Sequence, residues 1–125
     1  MNAIRVMLVD DQKVVVEALK MRLSLEPDLD VVGVAMNAAA AIELAPAVQP
    51  DIVLMDVSMG EESGLWAASE IHDSLPGTPV IMLTMLDDPP TRMMARMAGA
   101  WGFVAKHEPE DRLLSAIRQA AALAQ

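Results

Sequence analysis

Short apolar runs alternate with longer stretches of mixed character along this chain. The runs are Ile4-Arg5-Val6-Met7-Leu8-Val9, Val31-Val32-Gly33-Val34-Ala35, Ile52-Val53-Leu54-Met55, Val80-Ile81-Met82-Leu83 and Trp101-Gly102-Phe103-Val104-Ala105. The third and fourth contain no polar residue, which predicts strands covered on both faces. The intervening segments have the length of crossover helices. Val14 to Leu25 repeats Val15, Leu19 and Leu23 at four-residue spacing, and Asp111 to Ala124 does the same with Leu113, Ile117 and Ala121. An Ala-rich helix is predicted from Asn37, its cap, to Ala47, with others over Gly64–Ser74 and Thr91–Ala98. Pro27, Pro50, Pro79 and Pro109 punctuate the joins.

This strict alternation predicts an α/β fold, with a parallel sheet and helices on both faces. No internal repeat, low-complexity tract or linker interrupts it, so residues 1–125 are expected to form one domain.

Charge narrows the functions. Lys and Arg total 9 against 18 Asp and Glu, a formal net charge of −9. Such a domain repels a phosphate backbone, so direct nucleic-acid contact is not expected; cations and basic partner surfaces suit it better. The absence of cysteine excludes disulfides and thiolate metal sites. Neither a secretory signal nor a membrane span can be read from the sequence, and the expected location is the cytoplasm.

In an open parallel sheet, ligands gather at the carboxyl ends of the strands. The first run ends in Asp10-Asp11, the third in Asp56, the fourth in Thr84 and the fifth in Lys106. Taken singly, an acid there is often a helix cap, a Thr structural and a Lys solvated. Five such residues at equivalent positions of successive βα units point instead to a shared site. Like-charged carboxylates ~4 Å apart cost about 4 kcal/mol per pair at an effective dielectric of ~20. Such a cluster calls for a hard divalent cation with oxygen ligands, and Mg²⁺ matches so small a site. A carboxylate can also attack phosphorus to give an acyl phosphate. Lys106 and the Thr84 hydroxyl supply the positive charge and hydrogen bonding that a transferring phosphoryl group needs.

Val9-Asp10-Asp11, Leu54-Met55-Asp56 with Gly64 following, Leu83-Thr84 and Gly102-Phe103-Val104-Ala105-Lys106 together resemble the response-regulator receiver domain, from Ile4 to about Leu123. Glu26 to Gly33 and Pro50 to Asp56 look like receivers of the NarL/FixJ type, which precede a helix-turn-helix DNA-binding domain. The resemblance implies a doubly wound, flavodoxin-like five-stranded parallel sheet of order 2-1-3-4-5 with five helices. It implies that Asp56 is the phosphoacceptor, charged by a sensor histidine kinase. Asp11 would bind Mg²⁺ directly, Asp10 would support the metal site, and the Ser58 backbone carbonyl would be a further ligand. Thr84 and Lys106 would hold the phosphoryl group, and Phe103 would be the aromatic that moves with Thr84. The fourth helix, fifth strand and fifth helix, roughly Thr91 to Leu123, would form the output and homodimerisation face. A DNA-binding output domain would follow residue 125, and the receiver would be a switch rather than a turnover enzyme.

The sequence also departs from the family pattern. Gly60 stands where relatives carry Pro, with Glu61 and Glu62 after it; Met85 replaces a small residue beside Thr84; His107 replaces a Pro. Gly60, Glu61, Glu62 and Met85 motivate an alternative, a phosphorylation-independent interaction module with the same fold. An Asp-dependent phosphohydrolase would carry a second acid where Ser58 stands. Met93, Met94 and Met97 cluster in the fourth helix; Met at helical spacing is expected in the core more often than at a partner surface.

Overall fold

The computed structural model describes residues 3–59, 62–85 and 88–124. In chain order its elements are β1 (Ile4–Val9), α1 (Lys13–Ser24), β2 (Leu29–Ala35), α2 (Ala38–Val48), β3 (Ile52–Asp56), β4 (Ser58–Met59), β5 (Glu62–Ser63), α3 (Gly64–Ser74), β6 (Val80–Thr84), α4 (Pro89–Met97), β7 (Gly102–Ala105) and α5 (Glu110–Leu123). Five strands form one parallel sheet in the order β2-β1-β3-β6-β7. Counting only these five, the order is the expected 2-1-3-4-5.

Period-two alternation distributes the strand side chains between two cores. Met7, Val9, Val53, Met55, Val80 and Met82 face one side, beneath α2, α3 and α4. Val6, Leu8, Ile52, Leu54, Ile81 and Leu83 face the other, beneath α1 and α5. Every residue of β3 and β6 is buried, which accounts for their lack of polar alternation. The inward faces of α2 and α3 are largely alanine, so both helices can lie close to the sheet.

Helix ends follow local chemistry. The Asn37 side chain accepts a 2.8 Å hydrogen bond from the Ala40 amide and starts α2. At its other end, Arg5 donates to the carbonyls of Val48 and Gln49 at 2.7 and 2.6 Å, closing α2 onto β1. Arg118 on α5 grips Asp28 with two hydrogen bonds, at 2.8 and 2.9 Å, and reaches Glu26 at 2.7 Å. Arg22 joins this network through Glu26 and Glu110.

Several expectations need correction. β2 begins at Leu29, two residues before the apolar run, because Leu29 and Asp30 pair with Ile4 and Arg5. α4 begins at Pro89, not Thr91: Asp88 caps the Thr91 amide at 2.8 Å, and prolines suit a first turn whose amides need no partner. Met93, Met94 and Met97 do not belong to the core; they are 54% to 81% exposed, and Ala95 is the buried residue of α4. The β4–β5 hairpin was not anticipated; Ser58 pairs with Ser63 and Met59 with Glu62. Gly60, Glu61 and the Glu62 side chain lie outside the described residues.

Candidate functional site

Because the five strands run parallel, their carboxyl ends share one edge of the sheet. Val9 pairs with Met55, Asp56 with Leu83, and Thr84 with Ala105, so the predicted site residues stand in or just beyond one row. Backbone hydrogen bonds fix the row across strands. The Asp10 amide donates to Ala35, the Val57 amide to Leu83 and the Lys106 amide to Thr84, at 3.2, 3.0 and 2.6 Å. The predicted residues are therefore held by the sheet rather than by free loops.

Asp10, Asp11 and Asp56 each offer a carboxylate oxygen, and these oxygens lie within 4.8 Å of one another. Asp10 and Asp56 are buried; Asp11 is exposed at the rim. The Lys106 ammonium reaches Asp10 Oδ2 at 3.0 Å and Asp56 Oδ1 at 3.4 Å. Burial pushes the Asp56 carboxyl above its ordinary value; Lys106 opposes that shift, and the Asp10 carboxylate adds to it.

Three carboxylates against one ammonium leave two formal negative charges. A hard divalent cation would balance them, and converging oxygen donors with one exposed member fit Mg²⁺. The same oxygens bring a nucleophile, a countercharge and an opening to solvent together.

Thr84 is buried at the end of β6, one strand position beyond Leu83, the register partner of Asp56. Ser58 sits at the rim, its amide 3.4 Å from Asp56 Oδ1. Phe103 lies on β7, half-buried against the core beneath α4, with the Arg92 guanidinium 4.6 Å above its ring. Phe103 is therefore not among the clustered polar residues. Met85 is exposed and lines a cleft between α1 and α5.

Two contributors were not assigned a role from the sequence. The Gln12 amide donates to Asp10 Oδ1 at 2.9 Å, orienting that carboxylate. An Asp two residues before a helix cap is the signal for such a bond. Gly64 lies against the backbone of the acceptor strand: a Cβ there would come 1.9 Å from the Asp56 carbonyl oxygen. Only glycine allows α3 to start at that distance.

Comparison with known proteins identifies the family. Residues 6–118 match the response regulator receiver domain model. The oxygen regulatory protein NreC of Staphylococcus aureus is 38% identical over 115 residues, covering 91% of this chain and 53% of that protein. The chain thus spans about half the length of the curated relatives it matches. A LuxR-family two-component response regulator from Aurantimonas superposes with a TM-score of 0.92 at 30% identity, covering 97% of this chain and 86% of the other. The receiver domain of the putative response regulator NarL from Mycobacterium tuberculosis gives 0.90 at 32% identity, covering 98% of each chain. Among the described residues, no helix is long and apolar enough to cross a membrane. Sequence, fold and the clustered acids agree: the chain belongs to the response regulator receiver domain family.

Proposed function

We propose that the chain is the phosphoacceptor switch of a two-component system, with Asp56 as acceptor and a sensor histidine kinase as donor. An Asp56 carboxylate oxygen attacks the phosphorus of a phosphohistidine. The new O–P bond forms as the N–P bond breaks, and the electron pair returns to the imidazole nitrogen. Asp10, Asp11, Asp56 and the Ser58 backbone carbonyl would hold Mg²⁺, which supplies positive charge to the transferring oxygens.

The chain's own groups perform the rest. Lys106 holds Asp56 in place before transfer and pairs with the phosphoryl charge afterwards. Thr84 donates its hydroxyl to a phosphoryl oxygen. Its displacement draws Phe103 inward, changing the surface formed by α4, β7 and α5. That surface serves output and homodimer formation. DNA is reached only through an output domain following residue 125, in the cytoplasm, and the receiver turns over no external substrate beyond its own phosphoryl group.

The observation that carries this reading is the Lys106 ammonium spanning two buried carboxylates beside a third, at the edge where β1, β3, β6 and β7 end. The test is incubation with a small acyl phosphate and Mg²⁺. We expect a hydroxylamine-labile phosphoryl adduct on the native chain and none on Asp56→Asn. An adduct persisting in that variant rejects the acceptor. No adduct on either protein would favour the phosphorylation-independent interaction module.

A further inference from the structure

Cations are scarce here, and four of the nine have internal work. Arg5 closes α2, Arg22 and Arg118 hold the α1 and α5 network, and Lys106 serves the acid cluster. Lys13 and Lys20 belong to α1. The other three, Arg92, Arg96 and Arg112, line a single cleft of about 230 Å³ between α4, the start of β7 and α5. Trp101, Gly102 and Phe103 complete it.

Arg96 and Arg112 spend little of their donor capacity within the fold. Arg112 meets Glu108 only at 4.0 Å, and Arg92 covers the Phe103 ring. Among the described residues, Arg96 has no ion-pair partner. The cleft also has room: a Cβ placed on Gly102 would meet nothing within 4 Å. Trp101 presents a partly exposed indole at the same place.

We infer that this cleft binds a phosphorylated small molecule bearing a flat ring, of the nucleoside monophosphate class. The Arg96 and Arg112 guanidiniums match a phosphate with paired N–H groups, and the indole offers a stacking face for the base. Binding displaces the weak Arg112–Glu108 contact. The site lies at a different part of the fold from the acid cluster and needs no phosphorylation of Asp56.

The test titrates the chain, without added Mg²⁺, against adenosine and guanosine monophosphates, inorganic phosphate and a Glu-rich peptide. A Trp66→Phe background leaves Trp101 as the only indole, and its fluorescence is the readout. We expect saturable nucleotide binding with a Kd of about 1 mM or tighter. It should weaken about tenfold in Arg96→Gln or Arg112→Gln. Gly102→Val, which fills the cleft without a backbone clash, should abolish it while the melting temperature holds. Binding should persist in Asp56→Asn, so failure here and failure of the phosphoacceptor reading are distinguishable. Equal affinity for inorganic phosphate would keep the anion site and assign it to free phosphate. No saturation by either phosphate source, affinities unchanged in the variants, or saturation by the peptide alone would each overturn the proposal.

Discussion

At the scale of single residues, one side chain offsets part of the negative charge of the acid cluster. Lys106 contacts Asp10 at 3.0 Å and Asp56 at 3.4 Å, both buried carboxylates. Lys106→Met keeps the apolar stem and removes the charge, leaving the carboxylates to repel one another. The metal-free variant should lose about 3 kcal/mol in urea unfolding. Millimolar Mg²⁺ should return more of that loss than it adds to the native protein, because the vacated site is more negative. Equal Mg²⁺ responses in the two proteins would show that the cation does not bind beside Lys106. Gly64 is a second critical residue. Gly64→Ala drives a methyl group into the Asp56 carbonyl, so the helix or the acceptor strand must move. A loss of about 3 kcal/mol is expected, with impaired phosphorylation; a neutral effect would contradict the close approach. The sequence showed that Gly64 belongs to the acceptor pattern. Its reason, contact between two backbones, is not visible in a linear pattern.

At the scale of elements, the sequence was most legible where burial is complete. Ile52 to Met55 and Val80 to Leu83 read as strands because both faces are covered, and both are strands. Boundaries were harder where pairing overrides composition. Leu29-Asp30 lies ahead of the apolar run, yet it is drawn into β2 by β1. The β4–β5 hairpin, two residues to a strand, carries too little pattern to be read at all. The α4 methionines misled for another reason: their spacing matches a buried stripe, but the helix turns a single alanine inward. The Asn37 cap, by contrast, is local and was readable. Asn37→Ala removes the side-chain acceptor at the start of α2 and should cost about 1 kcal/mol. Asn37→Ser should restore most of it; if Ser behaves like Ala, the cap does not hold the helix.

At the scale of the whole molecule, two groups of acids pull stability in opposite directions with pH. Glu26 and Asp28 sit below their ordinary range, held there chiefly by hydrogen bonds from Arg22 and Arg118 respectively. Their contribution is present above that range and fades as pH falls, by a small amount because both are solvent-screened. Asp56 lies above its ordinary 3.8 because burial penalises its charge. Its contribution is complete at low pH and is lost as pH rises through its raised value. The metal-free protein should therefore lose stability as pH rises from the ordinary Asp56 value of 3.8 through its raised one. Asp56→Asn should flatten that part of the profile; an unchanged slope would place the titration elsewhere.

The overall topology was legible because strand and helix runs alternate along the whole chain, but the strand order came from resemblance rather than periodicity. The convergence of Asp10, Asp11, Asp56 and Lys106 was foreseen because each follows a strand end. Neither the 4.8 Å spacing nor the exposure of Asp11 could be read without coordinates. The proposed acceptor role of Asp56 can be read chemically. Borohydride reduces an acyl phosphate to an alcohol, so peptide mapping after phosphodonor treatment and reduction reads the acceptor directly. Homoserine is expected at position 56, formed only when Mg²⁺ is supplied. Reduction at Asp10 or Asp11, or a phosphoryl group retained on His72 or His107, would contradict it.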